Sequence, residues 1–264
     1  MAFSKNNKLS KKYSDELISE VMQKYVDGKN SKELSVEYGL NQGTITMWLR
    51  KNNLSRTRGP KSKIEIEDYF EIINTERKAY WLGYLMADGC CHEYNNQYHI
   101  KLGCSIKDRF FIDEFLKDIK SSNTPREIKS GNGTIVVSLS SLKMYNDLKS
   151  HGVSMNKSGN EYIPSTVPEE LVNHFIRGFF DGDGSSHLSG TSSFCCTISM
   201  ASEISNKIGI PFRIQEFKST NKVIDAIASK KSDSRKMYSY MYKNATIYLN
   251  RKYKRFENIF GPIL

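Results

Sequence analysis

WLGYLMADG (residues 81–89) and IRGFFDGDG (residues 176–184) put a glycine third, an aspartate eighth and a glycine ninth in two runs whose first residues are 95 apart. Read as helices, Gly83 and Ala87 share one face, as do Gly178 and Gly182, because residues four apart stack on a helix surface. Small residues at that spacing let two backbones approach closely. Trp81, Leu82, Tyr84, Leu85 and Met86 surround the first small stripe with apolar bulk, and Ile176, Phe179 and Phe180 surround the second. A single run of this kind reads as a buried core helix. Two in one chain imply that they pack on each other across a pseudo-twofold axis.

That packing carries a chemical consequence. Asp88 and Asp183 become neighbours at the C-terminal ends of two helices, where the partial charge is already negative. Two adjacent carboxylates are costly unless protons or cations intervene. A hard, oxygen-coordinated ion such as Mg²⁺ answers the need, and paired metal sites are a common solution for phosphodiester hydrolysis.

The doubled run, with YFEIINTERKAYWLGYLMADG before the first acid and GVSMNKSGNEYIPSTVPEELVNHFIRGFFDGDGSS around the second, resembles the LAGLIDADG homing endonucleases of the single-chain, two-repeat type. The resemblance covers about residues 66–264. It implies an α+β fold of two pseudo-symmetric αββαββα repeats, about 66–160 and 161–264, whose sheets form saddles on double-stranded DNA. It implies a site-specific endonuclease that cuts across the minor groove and leaves short 3′ overhangs. The cofactor would be Mg²⁺ or Mn²⁺, held by Asp88 and Asp183 with Gly89 and Gly184 beside them. The family also carries a lysine near the end of a repeat's last strand. By position that lysine is Lys243 in repeat two, given a catalytic role, whereas repeat one offers only Ser140 or Ser141 with Lys143 nearby. The chain is expected to be a monomer with an internal pseudo-dimer.

The residues between the two runs suit that frame. YHIKLGCSI (98–106) alternates as a strand, and Lys101 on it is a candidate DNA contact. KDRFFIDEFLKDIK (107–120) reads as an amphipathic helix with Phe110, Phe111, Phe115 and Leu116 on or near its buried side. TIVVSLS (134–140) reads as strand and SLKMYNDLKSHG (141–152) as helix. In the second repeat FCCTISM (194–200), FRIQEF (212–217) and KMYSYMYK (236–243) read as strands, and NATIYLNRKYKRFENIF (244–260) as a closing helix. SEISNKIG, after Met200, reads as a helix shorter than its partner, so the halves are unequal, as suits an asymmetric target. DGCCH and DGSSH place His92 and His187 each four residues after an aspartate, where either could touch DNA or a metal-bound water; a polar surface role is the alternative.

The N-terminal quarter differs in character. Residues 1–63 hold 13 Lys and Arg against 6 Asp and Glu, which is +7 of the chain's formal net charge of +10. Such clustering points to a polyanion. SDELISEVMQKYVD (14–27) has helical spacing with Ser14 as N-cap, and a second helix starts at Ser31. YGLNQ follows, with Gly39 suited to a left-handed turn and the small Ser35 four residues before it. Leu34, Tyr38, Leu40, Ile45, Trp48 and Leu49 form the apolar set. Residues 31–50 resemble a helix-turn-helix, with a recognition helix over about 41–52. Its expected exposed positions are Asn41, Gln42, Thr44, Thr46 and Met47, with Arg50 as a further contact; a generic three-helix bundle is the other reading. KNNLSRTRGPKSK (51–63) has five basic residues and no acid. Arg56, Arg58 and Lys61 there suit an arm in a minor groove. The expected division is residues 1–54, a basic linker over 55–65, and 66–264. RKYKRF (251–256) and the basic residues between 230 and 236 add candidate phosphate contacts.

Other classes fit less well. No apolar run reaches the length of about 18 residues that spans a bilayer, and the N-terminus lacks a signal peptide's apolar segment. The five cysteines, Cys90, Cys91, Cys104, Cys195 and Cys196, have neither a disulfide framework nor a CxxC zinc spacing. They read as small buried residues of a reduced, cytoplasmic protein, in a bacterium or phage-infected host by family habit. The alternative of a catalytically silent DNA-binding regulator on the same scaffold would be favoured by loss of one aspartate, and the presence of both favours the enzyme. An RNA maturase would share the basic surface but has no use for a DNA-type reader. The starting Met and the FGPIL ending weigh against an intein.

Overall fold

The computed structural model describes residues 13–52, 54, 63–95, 97–128, 133–155, 157–217 and 222–263. The chain divides into two compact units, Met1–Pro60 and Lys61–Leu264.

In the first unit three helices, α1 (Asp15–Val26), α2 (Ser31–Tyr38) and α3 (Gln42–Lys51), enclose Val21, Met22, Tyr25, Leu34, Ile45, Trp48 and Leu49. Each start is fixed by a side-chain cap. Ser14 accepts from Leu17 N, Asn30 and Glu33 form a reciprocal capping box, and Asn41 accepts from Gly43 N. Gly39 closes α2 at φ 62°, a conformation that suits glycine. Ser35 does more than stay small: its hydroxyl donates to Leu40 O at 2.6 Å and seals the turn. The expectation of a row of exposed readers on α3 needs correction. Asn41 and Arg50 are exposed, but Gln42, Thr44, Thr46 and Met47 are half-buried. Gln42 donates to Ser31 Oγ, Thr46 donates to Gln42 O, and Met47 packs against the core. Polar type alone could not reveal these local partners.

The second unit repeats one topology. The first copy runs α4 (Glu76–Asp88), β1 (Cys90–Tyr94), β2 (Gln97–Ser105), α5 (Arg109–Asp118), β3 (Arg126–Ile128), β4 (Thr134–Ser140) and α6 (Leu142–Ser150). The second runs α7 (Val172–Asp183), β5 (Gly184–Ser186), β6 (Ser192–Cys196), α8 (Ile198–Ile208), β7 (Arg213–Glu216), β8 (Ile224–Ala228) and α9 (Lys231–Tyr242), with α10 (Asn250–Phe260) added. The sheets are antiparallel in the orders β1-β2-β4-β3 and β5-β6-β8-β7. This is the expected αββαββα pair. On each sheet the residues alternate. Ile100, Leu102, Ile135, Val137 and Leu139 face the core in the first, and Phe194, Cys196, Ile224, Ala226 and Ala228 in the second.

Helices α4 and α7 form the centre. Trp81, Leu82, Tyr84, Leu85, Met86, Ile176, Phe179 and Phe180 are essentially inaccessible. A Cβ on Gly83 would overlap the Phe175 carbonyl, 2.9 Å from its carbon, and a Cβ on Gly178 would overlap the Tyr80 carbonyl, 2.9 Å from its carbon. The contact is reciprocal: each glycine faces the residue three positions before the other.

Four sequence expectations fail in repeat two, and one in repeat one. FCCTISM stops being strand at Cys196, because Thr197 accepts from Met200 N and starts α8. At 11 residues α8 is not shorter than α5, which has 10. KMYSYMYK is helix, within α9. Its alternation imitates a strand, but Met237, Tyr238, Met241 and Tyr242 recur at helical spacing and are the residues buried. The strand expected there is β8. The closing helix begins at Asn250 rather than 244, since Asn244 sits at φ 57° and breaks the run. In repeat one Phe110 is 48% exposed, off the stripe of Phe111, Ile112, Phe115 and Leu116. The strands β1, β3, β5 and β8 are further elements that the sequence reading does not place.

Gly178→Ala should cost at least about 3 kcal/mol of stability by prising the central helices apart. Urea unfolding of the full chain measures this; an unchanged midpoint would mean that the backbone contact is not tight.

Candidate active site

Asp88 and Asp183 are the last residues of α4 and α7. Gly89 and Gly184 follow in ordinary extended conformations, at φ −82° and −93°. What demands glycine there is space. A Cβ would lie 2.6 Å from Leu85 O in the first copy and 2.5 Å from Phe180 O in the second. The chain therefore folds back over its own last helical turn and enters β1 or β5 directly beside the aspartate.

The close helix packing brings the two helix ends together. A Cβ built on Gly182 would lie 3.3 Å from Asp88 Oδ2, so the Asp88 carboxylate hangs over the residue next to Asp183. Asp88 is exposed and Asp183 half-buried. Loss of hydration at the crowded helix ends raises both pKa values. Asp183 is pushed up to about 7, first by that desolvation and then by the negative charge of Asp88, with Glu161 adding to it. Asp88 rises too, held back by Lys252 and Lys157.

These two lysines were missed as site residues in the sequence. Both are buried, and each binds the carbonyls left open at a helix end. Lys157 Nζ donates to Ala87 O at 2.6 Å. Lys252 Nζ donates to Phe180 O at 2.6 Å, Gly184 O at 2.7 Å and Gly182 O at 3.3 Å. Burial draws Lys252 down to about 8, against the pull of Asp181, Asp88 and Asp183. A signal for Lys252 existed: it shares a helical stripe with Leu249, Tyr253, Phe256 and Phe260, so it had to point inward. Nothing in the periodicity around Lys157 marks it.

Lys243 is not part of this group. It is exposed at the C-terminal cap of α9 and lines a cleft with Glu169, Glu170, Asn173 and His174. Those residues surround the start of α7, a helix about 18 Å long that ends at Asp183. The misplacement follows from reading α9 as a strand. In repeat one Ser141 caps α6 and its hydroxyl donates to Glu67, while Lys143 pairs with Asp147 at 2.7 Å and Glu71 at 3.1 Å. Ser140 is exposed at the end of β4.

The open faces of the sheets hold other candidates. Lys101 is exposed on β2, between Cys90 and Ser138 in the ladders. His92 stacks on His99 across the β1–β2 pair, with centroids 5.0 Å apart. His187 is exposed just beyond β5, in a turn closed by its N–H on Thr191 O. The two histidines are thus not equivalent by symmetry. Cys90 and Cys195 are half-buried on these faces rather than in the core, unlike Cys91, Cys104 and Cys196. Arg56, Arg58 and Lys61 lie outside the described residues. Among the described residues, no three His, Cys, Asp or Glu side chains are grouped to hold a metal. The donors that do converge are the carboxylates of Asp88 and Asp183. That oxygen set suits a hard divalent ion whose remaining ligands come from water or substrate.

Because Asp183 titrates higher in the folded chain than its ordinary 3.8, its contribution favours folding below that value and is lost as the pH rises through about 7. Asp88→Asn should lower the Asp183 pKa, by removing a negative neighbour, without returning it to normal. Carboxyl ¹³C titration reads this directly, and an unmoved Asp183 would mean that the two aspartates do not share a site.

No protein-family model matches the chain, and no curated protein matches it. Solved structures do. A lysine-to-alanine mutant of I-SmaMI aligns over 70% of this chain and 88% of its own, with 12% identity and a TM-score of 0.50. The LAGLIDADG homing endonuclease I-LtrWI, bound to target DNA, aligns over 70% and 89% at 12% identity and TM-score 0.48. The LAGLIDADG meganuclease I-AabMI, bound to uncleaved DNA, aligns over 70% and 89% at 16% identity and TM-score 0.46. At such identity the likeness is one of fold, and the fold is that of the single-chain, two-repeat LAGLIDADG homing endonucleases.

Proposed function

We propose that the chain is a site-specific, metal-dependent endonuclease of double-stranded DNA. The observation that carries this reading is the convergence of Asp88 and Asp183 at the paired ends of α4 and α7, each carboxylate raised by its surroundings and so short of a cation. Nucleases of this fold are solved bound to DNA, which is in keeping with a DNA substrate, and the net charge of +10 agrees with a polyanion partner.

Asp88 and Asp183 would hold divalent ions, Mg²⁺ or Mn²⁺, with Gly89 and Gly184 allowing the strands to leave the site without filling it. The bound metal would supply activation of water and neutralisation of charge on the phosphate. Lys157 and Lys252 hold the helix ends in place and keep positive charge beside both aspartates. The open sheet faces, with Lys101, His92 and His99 on the first, would lie on the duplex.

The N-terminal unit would act as a helix-turn-helix that lengthens the footprint. Asn41 and Arg50 are its available contacts on α3, and Arg56, Arg58 and Lys61 would add an arm. Among the described residues no helix is long and apolar enough to cross a membrane.

Incubating a plasmid library of randomised sites with the protein and Mg²⁺ or Mn²⁺ tests the reading. The wild type should cut both strands, and Asp88→Asn and Asp183→Asn should each lower double-strand cutting by at least about 100-fold while binding persists; electrostatic and metal terms of this size are usual at such sites. Chelation should abolish cutting. Salt-sensitive binding to specific DNA without cutting would identify a regulator instead, and preference for structured RNA a maturase.

A further inference from the structure

Fourteen described residues of the first sheet face away from the core, and none is acidic: Cys90, His92 and Tyr94 on β1, Gln97 to Ser105 by twos on β2, Thr134 to Ser140 by twos on β4, and Arg126 and Ile128 on β3. The corresponding side of the second sheet carries Ser185, Cys195, Arg213, Gln215, Ile227 and one carboxylate, Asp225, with Ser193 on the same side but buried. Asp225 lies mid-strand on β8, opposite Cys195 on one side and Gln215 on the other. It is half-buried, and among the described residues no group donates a hydrogen bond or pairs an ion with its side chain.

A carboxylate in that position needs a reason. Facing a phosphate it would repel the DNA. Burying it unpaired on complex formation would cost more still. Both problems vanish if its oxygens meet an amino group on a base edge. In the major groove, which admits a β-ribbon, the acidic side chains accept from cytosine N4, which offers only a donor. A carboxylate also rejects the acceptor-bearing edges of guanine and thymine, so it discriminates by repulsion as well as by attraction.

Resting on the endonuclease reading, we propose that Asp225 is a specificity-determining residue that selects cytosine at one position of the half-site read by the second repeat. Asn offers both a donor and an acceptor and pairs with adenine N6 and N7. Asp225→Asn should therefore move the preference at that position from cytosine towards adenine. Asp225→Ala should leave it without preference, a loss of roughly tenfold in discrimination, as for a single mismatched contact.

The test is selection of bound duplexes from a random library by the full chain, in wild-type, Asp225→Asn and Asp225→Ala forms, with EDTA present so that nothing is cut. The expected result is one consensus for all three that differs at a single position, cytosine in the wild type. An identical consensus from all three forms, or a different wild-type base at the one position that changes, overturns the proposal and leaves the endonuclease reading standing. Uniform weakening or strengthening on every sequence overturns it too, by making Asp225 a structural or phosphate-facing group. A wild type that enriches no duplex overturns both.

Discussion

Everything in the second unit depends on two backbones touching without side chains between them. Gly83 lies on the Phe175 carbonyl and Gly178 on the Tyr80 carbonyl. Because the contact is reciprocal, it fixes the angle, depth and axial register of α4 and α7 together. A slide of one residue would set side chains where only hydrogen fits. The register in turn decides that the two helices end side by side, and hence that Asp88 and Asp183 share one place. From there each repeat turns back through a glycine into the edge strand of its own sheet. One steric constraint thus positions the carboxylates and both sheets.

Symmetry stops at the backbone. The places of Leu82 and Met86 in the first copy are taken by Arg177 and Asp181 in the second. Both are buried, and both are fully engaged. Arg177 donates to Ile247 O, Met241 O and Glu76, and lies over the Tyr80 ring. Asp181 accepts from Tyr80, Tyr242 and Leu249 N. Buried charges are tolerated when they are paired and hydrogen-bonded in this way. Their partners are concentrated in residues 241–249, at the end of α9 and in the irregular segment after it. The network therefore holds the linker that aims α10, and α10 carries Lys252 to the carbonyls that end α7. Repeat one reaches the same result with Lys157, which sits outside any helix.

The legible part of the sequence was the part governed by local rules. The doubled run gave both helices, their mutual packing and the aspartate pair, since small residues four apart have few other uses amid so much apolar bulk. Caps at Ser14 and Gly39 and the alternation of Thr134–Ser140 were readable for the same reason. The errors lie where two local rules compete. KMYSYMYK satisfies a strand's alternation and a helix's stripe at once, and only burial of Met237, Tyr238, Met241 and Tyr242 decides between them. That one ambiguity put Lys243 at the aspartates, whereas it lies by the start of α7, the end away from Asp183. Lys157 was beyond reach of pattern altogether, because its role is set by a tertiary contact with Ala87 O, 70 residues away in sequence.

The same distinction separates what is shared by the repeats from what is particular to each. The two aspartate positions are made alike by backbone packing, which does not depend on the side chains around it. Reading an asymmetric duplex, as proposed, would need the opposite, two surfaces that differ. The sheets supply it: β1 and β2 run for 5 and 9 residues, their counterparts β5 and β6 for 3 and 5. The long first face presents Lys101, Arg126 and the His92–His99 stack. The shorter second face presents serines, Arg213 and a carboxylate. A broad basic face gains affinity from phosphates whatever the sequence, whereas a small face with one acid gains little and refuses much. On that division the first repeat would hold the duplex and the second would discriminate, with the aspartates between them kept in register by two glycines.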